Sequence, residues 1–301
     1  MNKILIKSTK ILLILSIFYY LHKNGHLNFN IFNELIVNLK INTFLIFLIF
    51  ITFLLGAFRW SLILKSSNIK NSFIENFKIY YICSFFNNFL FGNLGGDFLK
   101  IYYVSKLTNS NKTKNSLSIL IDRLFGFIGL FLLGGTSFII ILINKNEYNY
   151  VLYFFGTILI SLFIFFYLFK LLRKISLLDN LIKYFNLRKN LFFWCVLISV
   201  IIFFIVHSII FFISSFVFSF HISLNYIFFA NFISVLMSAI PLTPGGIGLG
   251  EIGFIFINNH IFDLYLNNLA NIIVYFRILV FISSLPAIIL FINYKKISKI
   301  K

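Results

Sequence analysis

Three carboxylates and two arginines lie within or beside strongly apolar sequence: Asp97, Asp122, Arg123, Glu251 and Arg277. An ionised side chain at the centre of a membrane-spanning helix costs about 2.5–3.5 kcal/mol, so such residues normally face a bundle interior or an aqueous cavity. Guanidinium groups bind phosphate in a planar, two-pronged geometry. We therefore expect these residues to line a polar cavity in which the phosphate of a lipid head group could compete for the arginines.

The spacing of these residues repeats along the chain. Arg123 follows Asp97 by 26 residues, and Arg277 follows Glu251 by 26 residues. Asp122 and Arg123 are neighbours, and side chains at i and i+1 of a helix do not face each other, so each should have a partner elsewhere. Arg123 is expected to meet either Asp97 or Glu251, and Arg277 the other. A second interpretation stays open, in which the pairs are buried salt bridges that only fix the register of the helices.

Each acid follows a break that is rich in glycine. Glycine allows a positive φ and close approach of chains, and proline ends a helix. Backbone groups freed at membrane depth must bond to protein or to water in a cavity, and helix N-termini at such breaks attract anions. The break residues are Asn93, Gly95 and Gly96 in the first, and Thr243, Pro244, Gly245, Gly246, Gly248 and Gly250 in the second.

The composition shows which elements must position these groups. Hydrophobic residues make up 60% of the 301 residues and charged residues 11%, with a net charge of +18. Soluble domains carry about 25% charged residues, so lipid must be the solvent here. The composition excludes a soluble enzyme, a nucleic-acid-binding module and a disulfide scaffold. We expect an all-α, polytopic transmembrane bundle that forms a single integral membrane domain over 1–301.

Six apolar runs are long enough to cross a membrane, which takes about 20 residues. They lie near 4–21, 42–63, 117–142, 150–172, 191–220 and 269–293. We interpret the two broken stretches, 77–93 and 226–258, as re-entrant elements, because this arrangement leaves only Lys23, Lys40 and Lys145 outside. The positive-inside rule favours it and places both termini in the cytoplasm. A bundle of eight spans is the alternative.

The map also predicts an inverted repeat. Span 42–63, the first break and span 117–142 correspond to span 191–220, the second break and span 269–293. The first break would open to the inside and the second to the outside. Paired broken helices in opposed repeats are typical of transporters that bind cargo near the bilayer midplane.

Three motifs resemble the membrane domain of bacterial lysylphosphatidylglycerol synthases, a family that includes stand-alone, flippase-like membrane proteins. They are Asn93-Leu94-Gly95-Gly96-Asp97-Phe98-Leu99-Lys100-Ile101-Tyr102, Ile121-Asp122-Arg123-Leu124-Phe125-Gly126 and Leu242-Thr243-Pro244-Gly245-Gly246-Ile247-Gly248-Leu249-Gly250-Glu251. They occur in the family's order. The first departs slightly, because the family often has a proline shortly before Gly-Gly-Asp, where this chain has Asn93.

The resemblance implies a helical membrane protein that moves, or helps to move, a polar-headed lipid between leaflets. The cargo would be an anionic phospholipid or a lipid linked to polyprenyl phosphate. Only 293–301 follow the last span, so we expect no aminoacyl-transferase domain. No His/Cys cluster has metal-ligand spacing and no G-x-S-x-G or P-loop motif occurs, so we also expect no catalytic residues, no cofactor and no metal. We expect residence in a bacterial cytoplasmic membrane, with no nucleic-acid partner.

Two other functions stay open. The first is a membrane-embedded glycosyl- or lipid-transferase, which the isolated acids of the loops argue against. The second is an accessory scaffold for a separate lipid-modifying enzyme, with the buried charges serving packing. The sequence leaves the oligomeric state undetermined.

Overall fold

The computed structural model describes residues 16–28, 30–69, 71–88, 95–108, 110–145, 189–240, 243 and 245–300. Within these ranges the chain is helical and contains no β-strand. The helices are α1 (16–23), α2 (Ile31–Val37), α3 (Leu39–Ser66), α4 (Phe73–Asn87), α5 (Gly95–Thr108), α6 (Lys112–Lys145), α7 (Lys189–Phe212), α8 (Leu224–Ser238), α9 (Leu249–His260), α10 (Leu269–Ser284) and α11 (Ala287–Ile300). A π-helical turn, Ile213–Val217, extends α7. The all-α prediction is confirmed for the described part of the chain.

Four segments are long and apolar enough to cross a membrane: Leu39–Ser66, Lys112–Ile143, Asn190–Val217 and Leu269–Asn293. They correspond to four of the six predicted spans. The predicted span 150–172 lies outside the described residues, as does most of 4–21, whose end belongs to α1. The protein is thus a multi-pass helical membrane protein.

Both glycine-rich breaks lie at the tips of helical hairpins. Helix α4 packs against α5, and α8 packs against α9. The arms are short: α4 has 15 residues and α9 has 12. At a rise of 1.5 Å per residue they extend about 22 and 18 Å, less than the hydrocarbon thickness of about 30 Å. Arms of this length favour re-entrant hairpins over full crossings.

Close packing at the tip of the first hairpin requires Gly96. Its N–H donates a 2.8 Å hydrogen bond to Oδ1 of Asn87, near the end of α4. A Cβ at position 96 would overlap the carbonyl oxygen of Cys83. Only glycine lets α5 begin this close to α4, since any side chain would push the two arms apart.

The two hairpins enter the bundle from opposite faces. Helices α3 and α7 are antiparallel, because Phe44 near the start of α3 lies 6.2 Å, between ring centroids, from Phe212 at the end of α7. Near the other end, Arg59 Nη1 donates a 2.8 Å hydrogen bond to Ser199 Oγ. The α4–α5 hairpin follows the end of α3, and the α8–α9 hairpin follows the end of α7. The ends of antiparallel helices lie on opposite faces, so the hairpins do too.

The hairpin tips meet inside the bundle. A Cβ at Gly245, in the second break, would lie 3.7 Å from the carbonyl oxygen of Asn88, at the end of α4. The packing around the tips repeats: α6 packs against α7 and α8, and α10 packs against α3 and α4. Helix pairs α3/α7, α4/α8, α5/α9 and α6/α10 thus occupy equivalent places. This arrangement is that of an inverted repeat.

Each hairpin rests on its own apolar core. Trp60 and Leu64 of α3 pack with Ile79, Ile82 and Val104 of the first hairpin. A larger cluster joins the second hairpin to α3, α6, α7 and α10, and includes Leu45, Leu130, Ile209, Phe254 and Leu279. The cores hold the tips in place against their neighbouring spans.

The opposed entry of the hairpins predicts the labelling of two near-isosteric cysteine variants. Thr113 lies at the start of α6 and Ser223 just before α8, and both are exposed. With the basic loops inside, a membrane-impermeant maleimide applied to intact cells should label Ser223→Cys, and should label Thr113→Cys only after permeabilisation. The native Cys83 and Cys195 are buried, which makes the wild-type chain the background control. Labelling of both variants from the same side would contradict the inverted arrangement.

Candidate functional site: a charged cavity between the hairpins

The charged residues of the two halves line one cavity of about 750 Å³. All five charged residues singled out from the sequence lie on its wall, together with two further cations. Its charged lining is Arg59, Asp97, Lys100, Asp122, Arg123, Glu251 and Arg277. We call this space the central cavity. Its position between the hairpin tips, at the junction of the two repeats, is where a midplane binding site is expected.

Asp97 lies between two cations. Arg123 Nε donates a hydrogen bond to Asp97 Oδ2, and Nη2 lies 2.5 Å from the same oxygen. Lys100 Nζ, one helical turn along α5, lies 3.7 Å from Asp97 Oδ1. Of the two pairings left open by the sequence, the structure has Arg123 with Asp97 within the first half. Asp97 therefore keeps a cationic neighbour even when Arg123 turns away.

Lys100 is held by aromatic rings as well as by the carboxylate. Its Nζ lies 4.1 Å from the ring centroid of Tyr80 and 5.4 Å from that of Trp60. Cation–π contacts of this kind contribute about 0.5–2 kcal/mol each, more where water is absent. The lysine side chain is 7% exposed, so it is fixed in the wall of the central cavity.

Asp122 pairs with Arg59 of α3 and not with its neighbour Arg123. Arg59 Nε donates a 2.7 Å hydrogen bond to Asp122 Oδ1, and both side chains are 7% exposed. Arg59 also donates to Ser199, so it ties α3 to both α6 and α7. The neighbouring residues Asp122 and Arg123 thus have separate partners, in line with their different directions on the helix.

Arg277 fastens the second break to α10. Its Nη1 donates 2.7 Å to the carbonyl of Gly245, and its Nη2 donates to Ser238 Oγ at 3.1 Å and to the carbonyl of Gly246 at 3.0 Å. Its Nε lies 2.8 Å from Glu251 Oε1 in a direction that is not that of a hydrogen bond. The arginine thus supplies side-chain donors to two carbonyls of the break, the kind of partner that backbone groups need at membrane depth.

Glu251 stabilises the start of α9. It is fully buried, and its Oε2 accepts a 2.7 Å hydrogen bond from the N–H of Gly248. A carboxylate in the first turn is favoured by the positive end of the helix dipole. The fully buried Glu251 and the partly exposed Arg277 therefore form a pair whose geometry is tied to the shape of the break.

The equivalent arginines of the two repeats differ in what they face. The Arg123 side chain is 38% exposed, although it contacts Asp97, whereas the Arg277 side chain is 26% exposed and donates two hydrogen bonds to the break and one to Ser238 at the end of α8. The carboxylates are less accessible, at 13% for Asp97, 7% for Asp122 and 0% for Glu251. Among the described charged residues of the central cavity, the guanidinium groups of Arg123 and Arg277 are thus the most exposed.

The structure places most of the predicted break residues at or beside the hairpin tips. Gly95 and Gly96 begin α5, and Gly250 lies in the first turn of α9. Thr243 is buried, and Gly245, Gly246 and Gly248 have positive φ angles. The predicted residues Asn93 and Pro244 lie outside the described residues.

Arg59 and Lys100 were not singled out from the sequence. Arg59 lies in the apolar run 42–63, so the criterion that identified Asp122, a charge in apolar sequence, also applies to it. Lys100 follows Asp97 by three residues, a spacing at which helical side chains meet. Among the described residues, His, Cys, Asp and Glu do not gather in a group of three that could hold a metal ion.

Sequence comparison agrees with this architecture. A family model described as lysylphosphatidylglycerol synthase TM region matches residues 8–287. No curated protein matches the chain. The match covers all the charged residues of the central cavity and both breaks.

The Arg59–Asp122 pair predicts a strongly non-additive double-mutant cycle. Removing one member of a buried pair strands a charge and costs about 3–5 kcal/mol. We expect Arg59→Met and Asp122→Leu each to lower the melting temperature in detergent, and the double variant to recover most of the loss. The surface pair Lys78–Glu75, about one-third exposed, is the matched control, and its Lys78→Gln/Glu75→Gln variant should change stability by at most about 1 kcal/mol. Additive losses at Arg59 and Asp122 would contradict a buried ion pair.

Adjacent glycines of the second break predict different tolerance to alanine. Gly245 and Gly246 have φ angles of 60° and 68°. Alanine in this left-handed conformation is less stable by about 1–2 kcal/mol, so both substitutions should lower the free energy of unfolding. A Cβ at position 246 would also lie 2.6 Å from Ser238 Cα, whereas at 245 the nearest atom is at 3.7 Å. Gly246→Ala should therefore lower the melting temperature well beyond Gly245→Ala. Equal decreases in melting temperature for the two variants would show that Gly246 does not pack closely against Ser238.

Proposed function

The chain belongs to the family of the lysylphosphatidylglycerol synthase TM region, and on that premise we propose that it carries a polar-headed lipid between the two leaflets of a membrane. The observation that carries the proposal is the central cavity itself, where charged groups from both repeats line one space between opposed hairpins. Charges at membrane depth are costly, and clusters of them mark pathways for polar cargo.

The walls of the central cavity suit the two parts of a lipid. Beside the charged groups, the lining contains aromatic and aliphatic residues that match a hydrocarbon chain, including Phe53, Phe127, Phe203, Phe276 and Phe281. Polar amides and hydroxyls lie among the charges, including Ser84, Asn87, Asn88, Asn231 and Ser234. A head group could bond to the polar part while its tail stays against the apolar part or in the bilayer.

Arg123 is the residue we assign to the lipid phosphate. It is the most exposed of the arginines that line the central cavity within the described residues. A phosphate that takes the place of Asp97 at this guanidinium leaves Asp97 beside Lys100. The exchange strands no buried charge, and so avoids the main cost of opening an ion pair in a low-dielectric site.

The opposed hairpins provide a route to alternating access. Because they enter from opposite faces and meet at their tips, movement of one hairpin against its neighbouring span would open the central cavity to one leaflet. Breaking and reforming the Asp97–Arg123 pair would couple this movement to lipid binding, since only the bound state supplies a substitute for the carboxylate. Arg277, with its bonds to the second break, positions that tip rather than holding cargo.

The proposal extends to location and chemistry. We propose that the protein resides in a bacterial cytoplasmic membrane with both termini inside, following the distribution of basic residues. We further propose that it moves lipid without covalent chemistry, and that membrane lipids are its partners, with a separate lipid-modifying enzyme supplying or consuming the cargo.

Transport in proteoliposomes tests the proposal. With fluorescent phosphatidylglycerol in both leaflets and dithionite added outside, wild-type protein should make the inner-leaflet label accessible faster than protein-free vesicles do. Arg123→Gln should slow this by about tenfold or more, because a hydrogen bond to a charged group contributes about 1.5–3 kcal/mol. Lys78→Gln is the matched control, since Lys78 belongs to a partly exposed ion pair outside the central cavity, and it should retain the wild-type rate.

Two results would count against the proposal. If folded wild-type protein moved no lipid faster than empty vesicles, lipid transport by this chain would be refuted. If Arg123→Gln moved lipid at the wild-type rate, the central cavity would not be the route. Reconstitution yield and orientation are measured for each variant so that rates compare equal amounts of protein.

A further inference from the structure

The charges of the central cavity do not balance. Four cations, Arg59, Lys100, Arg123 and Arg277, face three carboxylates, Asp97, Asp122 and Glu251, among the described residues that line it. With each group ionised, the wall carries one excess positive charge. A buried excess charge is costly in a low-dielectric site, so an occupant that cancels it is favoured.

The two most exposed charged groups of the central cavity, among the described residues, are arginines, although Arg59 and Lys100 are only 7% exposed. The side chains of Arg123 and Arg277 are 38% and 26% exposed, whereas no carboxylate of the central cavity exceeds 13%. Each carboxylate already contacts a cation of the protein. An ammonium group on a cargo would have to displace a guanidinium or lysine from its acid, whereas a phosphate that displaces Asp97 from Arg123 leaves that acid beside Lys100.

We infer that the central cavity selects a lipid whose head group carries one net negative charge, an anionic phosphodiester, over zwitterionic and cationic head groups. Phosphatidylglycerol and glycosylated polyprenyl phosphates have this chemistry. One phosphodiester cancels the excess charge of the wall, whereas a lysyl ester of phosphatidylglycerol, with its net positive charge, would raise the total to two. This inference rests on the proposed function and narrows its cargo.

The first test compares head groups on one set of acyl chains. Fluorescent phosphatidylglycerol, phosphatidylethanolamine and lysylphosphatidylglycerol are assayed in the same proteoliposomes with wild-type protein. We expect phosphatidylglycerol to move about tenfold faster, or more, than lysylphosphatidylglycerol, with phosphatidylethanolamine between them. Equal rates, or faster movement of the lysyl ester, would overturn the inference about head-group charge. Such a result would still support the proposal that the protein transports lipid.

Charge variants of the central cavity should change the ratio of transport rates between head groups. A residue with a purely structural role would change the absolute rates but not this ratio. Arg123→Gln brings the wall to neutrality, so the ratio of phosphatidylglycerol to phosphatidylethanolamine transport should fall towards one. Asp97→Asn raises the excess to two positive charges, so phosphatidic acid, a phosphomonoester with more negative charge than a phosphodiester, should gain over phosphatidylglycerol. Lys78→Gln, outside the central cavity, should keep the wild-type ratios. Unchanged ratios in both cavity variants would refute the inference even if their absolute rates fell.

A binding measurement separates this inference from the transport proposal. In detergent, the melting temperature is followed with short-chain phosphatidylglycerol, its lysyl ester, the soluble head group glycerophosphoglycerol, and inorganic phosphate. We expect the largest increase with phosphatidylglycerol, which shows that a lipid and not a free phosphate is the ligand. If no lipid is transported, a preference for phosphatidylglycerol in this assay would still support the charge inference. The absence of any preference would overturn it.

Discussion

The burial of charge and unpaired backbone at membrane depth is the constraint on which the rest of this structure depends. Each hairpin interrupts the helical path, and at membrane depth freed backbone groups and the acid beside them need partners. The span that follows supplies one partner for each acid: Arg123 for Asp97 and Arg277 for Glu251. Arg277 also donates to two carbonyls of the second break, so its removal would take partners from the acid and from the backbone together.

The two repeats satisfy this constraint in different ways, and the difference gives the protein its asymmetry. In the second half, Arg277 donates to the carbonyls of Gly245 and Gly246, and these bonds stabilise the conformation of the tip. In the first half, Asn87 bonds to the N–H of Gly96 at the tip, and Arg123 bonds to a carboxylate that Lys100 also neutralises. The pseudo-symmetric scaffold thus has one arginine bonded to backbone carbonyls and one bonded to a carboxylate with a second cation beside it, and the transport that we propose uses the latter.

Packing fixes where these charges meet. Because α3 and α7 are antiparallel, the hairpins that follow them enter the bundle from opposite faces. Gly96 and Gly246 allow the hairpin tips to lie close to neighbouring residues. Arg59 links α3, α6 and α7 through Asp122 and Ser199, so the spans that surround the central cavity are tied together on its wall. The central cavity is consequently a product of the whole bundle and not of either hairpin alone.

The sequence by itself determined the helical membrane class, four of the described spans, the two breaks, and the five charged residues that line the central cavity. It could do so because apolar length, glycine-rich interruptions and ionised groups in apolar runs are local signals with large energies. Only the tertiary structure decided that Arg123 pairs with Asp97 and that Asp122 pairs with Arg59. Pairing across 26 or 63 residues depends on which helix faces meet, and that is set by close packing of the two repeats rather than by any residue's own neighbours.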